Sequence, residues 1–148
     1  GPTRRERGDG MILSGGTGAG KTCALALLAA TAIADGADVR YVHASLLFDE
    51  LHHQRGIEYR DAEVLVVDDL GTEYPSEFAG QRFGAMVEAR HARDLVTWIG
   101  TNLPGASLRE RYGDRIMDRL RERCATLVTA ATSQRRTASV DDWSDDDE

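Results

Sequence analysis

Met11-Ile12-Leu13-Ser14-Gly15-Gly16-Thr17-Gly18-Ala19-Gly20-Lys21-Thr22 runs from a short apolar stretch through a glycine-rich turn to a Lys-Thr pair. Residues 15–22 fit the phosphate-loop pattern G-x-x-x-x-G-K-[ST] at every fixed position. Residues 11–14 read as a buried strand. Residues 22–30 read as a helix, apolar nearly all round and so expected to be buried. Strand, loop and helix in that order aim loop N–H groups and a helix N-terminus at phosphate oxygens. Gly15, Gly16, Thr17, Gly18, Ala19, Gly20, Lys21, Thr22 and Cys23 are therefore the candidate nucleotide-binding residues. Lys21 is the only lysine, against seventeen arginines. Arg is a planar fork and Lys a compact point charge. A loop wrapped tightly round β- and γ-phosphates has room only for the compact one.

At 148 residues the chain is long enough for one domain with a real core. Its formal charge is −7, but the last eight residues hold six acids, so the remainder carries only −1. That end reads as a solvated acidic tail rather than a partner-binding one. Cys23 and Cys124 fall in expected core elements and suggest no disulfide framework, which points to a reducing cytoplasm. No apolar run is suited to spanning a membrane. The chain opens Gly1-Pro2, so residues 1–9 read as a cleavage remnant and linker. The domain is expected over 10–132, with a flexible acidic tail over 133–148.

Further along, strand and helix patterns alternate. Strands are expected at 39–43, 63–68, 95–100 and 125–129. Helices are expected at 45–51, 78–93 and 109–122, the last broken near Gly113. Together with residues 11–14 this gives a five-stranded parallel sheet flanked by helices, a P-loop NTPase of the α/β class. Ligands of such sheets bind at the carboxyl ends of the strands.

Val64-Leu65-Val66-Val67-Asp68-Asp69 is a Walker B pattern. Asp68 at the strand end is placed to hold Mg²⁺ with Thr22, since Mg²⁺ keeps several waters and takes few carboxylates. Asp69 is placed to orient or deprotonate an attacking water. Asn102, after the next core strand, reads either as a sensor of the γ-phosphate or as a turn residue before Pro104. Arg115 and Arg119 share a helix face. From spacing alone they are a solvated face with Asp114, Asp118 and Glu122 for partners, or a finger offered to a neighbouring subunit. His52-His53 reads as a solvated helix end, and His43 and His91 stand alone. Arg82, Arg90 and Arg93 read as surface residues, with a DNA backbone as their other use.

The phosphate loop, Asp68-Asp69-Leu70-Gly71 followed by Glu73, Thr101-Asn102-Leu103 and Gly113-Asp114-Arg115-Ile116-Met117-Asp118-Arg119-Leu120 together resemble AAA+ ATPases of the DnaC/DnaI helicase-loader type, in the IstB-like clade. The resemblance spans residues 10–136. It implies an ATPase using ATP and Mg²⁺, with Lys21, Asp69 and Asn102 catalytic. It makes Arg119 the finger acting on a neighbouring subunit and Arg115 a secondary candidate. It implies self-association, a replicative DNA helicase as partner and single-stranded DNA gripped just after the Walker B strand. Ser76 and Phe78 are the matching DNA contacts, although a core-packing Phe opening a helix is the better reading of Phe78 from sequence. The host would be a bacterium, or a phage within one. The family's terminal Ser-Tyr-Arg is Ser133-Gln134-Arg135 here, which puts a second-sensor role for Arg135 in doubt. Its N-terminal helicase-binding region is not matched. A transposition ATPase on duplex DNA and a non-hydrolysing adaptor remain as alternatives, the latter because Asp69 stands where Glu is more usual.

Overall fold

The computed structural model describes residues 10–15, 19–129 and 137–138. The strands are β1 (Gly10–Gly15), β2 (Val39–His43), β3 (Val64–Leu70), β4 (Val96–Thr101), β5 (Cys124–Thr129) and β6 (Thr137–Ala138). The helices are α1 (Ala19–Ala34), α2 (Ala44–His52), α3 (Ile57–Asp61), α4 (Glu77–Ala92), α5 (Gly105–Tyr112) and α6 (Asp114–Arg123). They build one sheet in the order β2-β3-β4-β1-β5-β6. The first five strands are parallel, as expected. β6 is an addition: Thr137 and Ala138 pair antiparallel with β5. An edge strand offers unpaired N–H and C=O groups, and β6 takes up two positions of them.

β3 lies inside the sheet and is covered on both faces, so its apolar run needs no alternation. Leu65 and Val67 enter one core with Ile12, Ile99 and the buried stripes of α2, α4 and α6. Val64 and Val66 enter the other with Leu13, Trp98 and α1. In α2 the buried residues are Ala44, Leu47, Phe48 and Leu51, a helical spacing that fits one sheet-facing stripe. α1 departs from expectation. Leu25, Ala29 and Ala32 are buried, but Leu27 is 69% and Ile33 58% exposed. A helix lying on a sheet buries only one side whatever its composition. Cys23 is exposed for the same reason, whereas Cys124 is buried.

Gly113 separates α5 from α6 at φ 91°, a conformation that favours glycine, so the expected break is there. Gly84 lets α4 and α6 approach closely, since a Cβ at that position would lie 2.9 Å from Ile116 Cδ1.

Arg90 corrects the surface reading. It falls on the buried stripe Ala79, Phe83, Met86, Val87, Arg90 of α4 and is only 2% exposed. Its guanidinium donates to the carbonyls of Tyr59, Arg60, Ala62 and Val96 and to Thr97 Oγ1, at 2.6–3.1 Å. It thus ties the α3–β3 connection to the start of β4. Burial, with Arg93 adding to it, pushes its pKa down to about 10.

Candidate nucleotide site

β1 and β3, which carry the two motifs, are not neighbours; β4 lies between them. The residue of β4 at that level is Gly100. A Cβ there would lie 2.9 Å from Asp68 Oδ1 and 2.8 Å from Leu25 Cδ1. The missing side chain leaves room for Leu25 of α1 and the Asp68 carboxylate to come together, and Thr22, in the first turn of α1, reaches the other oxygen of that carboxylate. Thr22 Oγ1 donates to Asp68 Oδ2 at 3.0 Å.

Lys21 is 7% exposed and its Nζ lies 3.4 Å from the Gly15 carbonyl oxygen. Burial lowers its pKa, while the neighbouring Asp69 and Asp68 oppose that shift. A desolvated ammonium beside two carboxylates is set to neutralise an incoming polyphosphate. Gly16, Thr17 and Gly18 lie outside the described residues, as do residues 1–9 and the Ser133-Gln134-Arg135 stretch.

Asp68 is 5% exposed and well satisfied. Its Oδ1 accepts the Asp69 N–H at 2.9 Å. Its Oδ2 accepts Thr22 and also the Tyr41 hydroxyl, the latter at 2.8 Å. Burial, then the bond to Asp68, raises the Tyr41 phenol well above its ordinary value, so it remains a donor. Thr22 and Asp68 present hard oxygens, the donors Mg²⁺ prefers. Among the described residues no group of three or more His, Cys, Asp or Glu can hold a metal alone. A cation here would therefore take most of its ligands from phosphate and water, as Mg²⁺ does at nucleotide sites. The residues fit Mg²⁺.

Asp69 has φ 56°, a left-handed conformation that Asp tolerates better than most residues. The turn is held by Thr72, whose N–H and Oγ1 both donate to the Asp69 carbonyl. It swings the carboxylate out of line with Asp68 and towards β2. There Asp69 Oδ2 lies 3.0 Å from His43 Nε2, so His43 does not stand alone. The Ser45 N–H donates to His43 Nδ1 at 3.2 Å and caps α2. With Nδ1 an acceptor, the ring proton sits on Nε2 and is donated to Asp69. His91 is likewise partnered, by Glu122 at 2.8 Å.

Asn102 is exposed just beyond β4, and its side chain makes no hydrogen bond among the described residues. Its backbone is fixed on both sides. Thr101 Oγ1 donates to the Leu70 carbonyl at 2.7 Å and accepts the Leu103 N–H, while Ser14 Oγ donates to the Leu103 carbonyl at 2.8 Å. The ends of β1, β3 and β4 are thus laced together around it.

Arg115 and Arg119 lie elsewhere. Arg119 borders a small cavity with Leu95, Thr97 and Cys124, at the starts of β4 and β5. That is the edge opposite Lys21. Both arginines pair with Glu88 of α4, at 3.3 Å, and Arg119 also with Glu122 at 3.0 Å. Glu88, not Asp114 or Asp118, is their shared partner; those two acids hold Arg109.

Ser76 caps α4 by accepting the Ala79 N–H at 3.2 Å. Phe78 is 43% exposed rather than core-packed. Arg82 lies over its ring at 5.7 Å and His52 meets it edge-on. Beside it runs a groove of about 440 Å³ lined by Tyr74, Ser76, Gln81 and Arg111 among others. Sequence reading missed what anchors this loop. Glu73 is buried, accepts the Gly71 N–H at 2.8 Å and the Arg111 Nε at 3.1 Å, and also accepts the Tyr112 hydroxyl. An acid flanked by an aromatic and Pro75 gave no signal of such burial.

A family model described as IstB-like ATP binding protein matches residues 5–141. No curated protein sequence matches the chain. Among solved structures the chain is similar to DnaI, at 26% identity and a TM-score of 0.72 over 83% of this chain and 74% of that one. It is similar to the DnaC helicase loader at 25% identity and a TM-score of 0.68, over 83% of this chain and 79% of the loader. AMPPCP-bound DnaA from Aquifex aeolicus shares the fold at 17% identity and a TM-score of 0.67, over 80% of this chain; the chain spans 40% of that protein. With nearly its whole length matched by the model, this chain belongs to the IstB-like ATP-binding protein family, within the AAA+ class.

Proposed function

We propose that this chain is the ATPase unit of a replicative helicase loader, and that it binds and hydrolyses Mg-ATP. The observation that carries the reading is the meeting of Lys21, Thr22 and Asp68 across Gly100 at the carboxyl edge of the sheet. Similarity to the DnaC helicase loader supports the role.

Lys21 binds the β- and γ-phosphates. Thr22 and Asp68, whose side chains meet at 3.0 Å, would hold the Mg²⁺ through their oxygens. Bound Mg²⁺ would supply charge neutralisation to the phosphates. Asp69 orients the attacking water and accepts its proton, and His43 holds Asp69 at the required angle. Asn102 reads the γ-phosphate. Arg119, with Arg115 as second candidate, completes the site of a neighbouring subunit, since it lies at the far edge from its own Lys21. Fingers of this kind contribute about 10³–10⁵ in turnover, so isolated chains hydrolyse slowly. Single-stranded DNA lies along the loop after β3, where exposed Phe78 with Arg82 offers a stacking face and Ser76 a hydroxyl.

The IstB-like family match favours one alternative, a transposition ATPase on duplex DNA. The discriminating experiment is binding of labelled single- and double-stranded DNA with a non-hydrolysable ATP analogue at moderate salt. Nucleotide-dependent preference for single strands is the expected result. Preference for duplex would replace the loader with the transposition reading. Binding to neither, with no turnover, would leave a nucleotide-switched adaptor.

A further inference from the structure

We infer that Tyr41 is a positioning residue for the metal-binding carboxylate, setting the Mg²⁺ affinity of the site; the inference rests on the Mg-nucleotide reading above. Tyr41 and His43 sit two residues apart on β2, so both side chains leave the same face of the sheet. Register places His43 beside Asp68. Each of the two β2 side chains bonds one Walker B acid: Tyr41 bonds Asp68 at 2.8 Å and His43 bonds Asp69 at 3.0 Å.

The role follows from the acceptor positions on Asp68. A carboxylate offers about four lone-pair sites. Three are filled, by the Asp69 N–H on Oδ1 and by Thr22 and Tyr41 on Oδ2. Of these donors only Thr22 has another task, because its hydroxyl also faces the cation position. When Thr22 turns away, Oδ2 keeps the Tyr41 bond and gains one open site for a metal-bound water. Tyr41 then fixes the rotation of the carboxylate about its Cβ–Cγ bond. The Asp69 N–H holds only the other oxygen, and Gly100 presents no side chain to brace it. Tyr41 itself is 40% exposed, so removing its hydroxyl leaves the core untouched.

The test is Tyr41→Phe in the whole chain. Binding of a fluorescent ATP derivative is measured in EDTA and then across a Mg²⁺ titration. The expected result is an affinity in EDTA within about twofold of the parent and a Mg²⁺ midpoint raised about fivefold, the size of one lost hydrogen bond. In an Asp68→Asn background the same substitution should leave the midpoint where Asp68→Asn alone puts it. An unchanged midpoint in Tyr41→Phe overturns the inference. So does an equal loss of affinity in EDTA, which would make Tyr41 a wall of the nucleotide pocket. A shift that persists in Asp68→Asn overturns it as well, because Tyr41 would then act elsewhere. A parent chain whose nucleotide binding ignores Mg²⁺ fails differently: it refutes the Mg-nucleotide reading, and the inference falls with it.

Discussion

Gly100→Ala tests whether the gap in β4 is what brings the two motifs together. The added methyl would sit 2.9 Å from Asp68 Oδ1 and 2.8 Å from Leu25 Cδ1. Both are at least about 0.5 Å inside van der Waals contact. Leu25 ends in a branched methyl that can yield by rotation. Asp68 is held by Asp69 N–H, Thr22 and Tyr41 and moves only by straining those bonds. Overpacking of this kind costs about 1–3 kcal/mol. For a chain of this size that is a fall in Tm of about 4–8 °C at the middle of the range. Function should suffer more. A displaced Asp68 loosens the cation, so nucleotide affinity in Mg²⁺ should fall about tenfold or more, equivalent to ~1.4 kcal/mol. Affinity in EDTA should change little. Gly80→Ala is the control, because nothing lies within 4 Å of its added Cβ. In a helix it should be neutral or stabilise by about 0.5–1 kcal/mol. Thermal melts with and without Mg-nucleotide read both variants. A Gly100→Ala protein with parental Tm and parental Mg²⁺-dependent affinity would refute the reasoning.

Arg90→Met should cost about 3–5 kcal/mol in urea unfolding, since the carbonyls of Tyr59, Arg60, Ala62 and Val96 lose their donor in a buried setting; a loss below about 1 kcal/mol would show that water replaces it. Asp61 is held down to about 2 by its hydrogen bonds to Arg60 and then Arg93. Its stabilising contribution is therefore complete above the ordinary carboxylate value of 3.8 and fades as pH falls towards about 2; Asp61→Asn should flatten that part of the acid unfolding curve, and an unaltered curve would dismiss the pairing. His43→Ala should lower turnover about tenfold with Mg-ATP affinity within about twofold, because Asp69 loses its orienting donor rather than a ligand; equal loss in both would mean that His43 shapes the pocket. Arg119→Ala should abolish turnover with ATP binding intact, and normal turnover at concentrations where the parent assembles would count against the finger.

The parts of the site carried by local pattern were legible from sequence. The phosphate loop fixed β1 and α1, the apolar run ending in two acids fixed β3, and β2 runs over residues 39–43 as its pattern suggested. What depended on strand order was not. Tyr41, His43 and Gly100 matter because β2 and β4 flank β3, and no local feature states which strands adjoin. Arg90 is a different kind of miss. Its place on the 79, 83, 86, 87, 90 stripe was readable, but a charged residue on such a stripe suggests an edge rather than a core until its carbonyl partners are known. Phe78 was misjudged because the stripe begins one residue later, at Ala79, which turns the Phe outward. β6 could not be read from two residues next to an acidic run, since short edge pairing depends on the exposed side of β5.

Calorimetric titration of ATP with Mg²⁺ into the parent chain and into Lys21→Ala is the most direct test of the nucleotide site. The parent should bind saturably, and Lys21→Ala should respond at least tenfold more weakly. Equal binding by both, or none by the folded parent, would contradict a nucleotide site there.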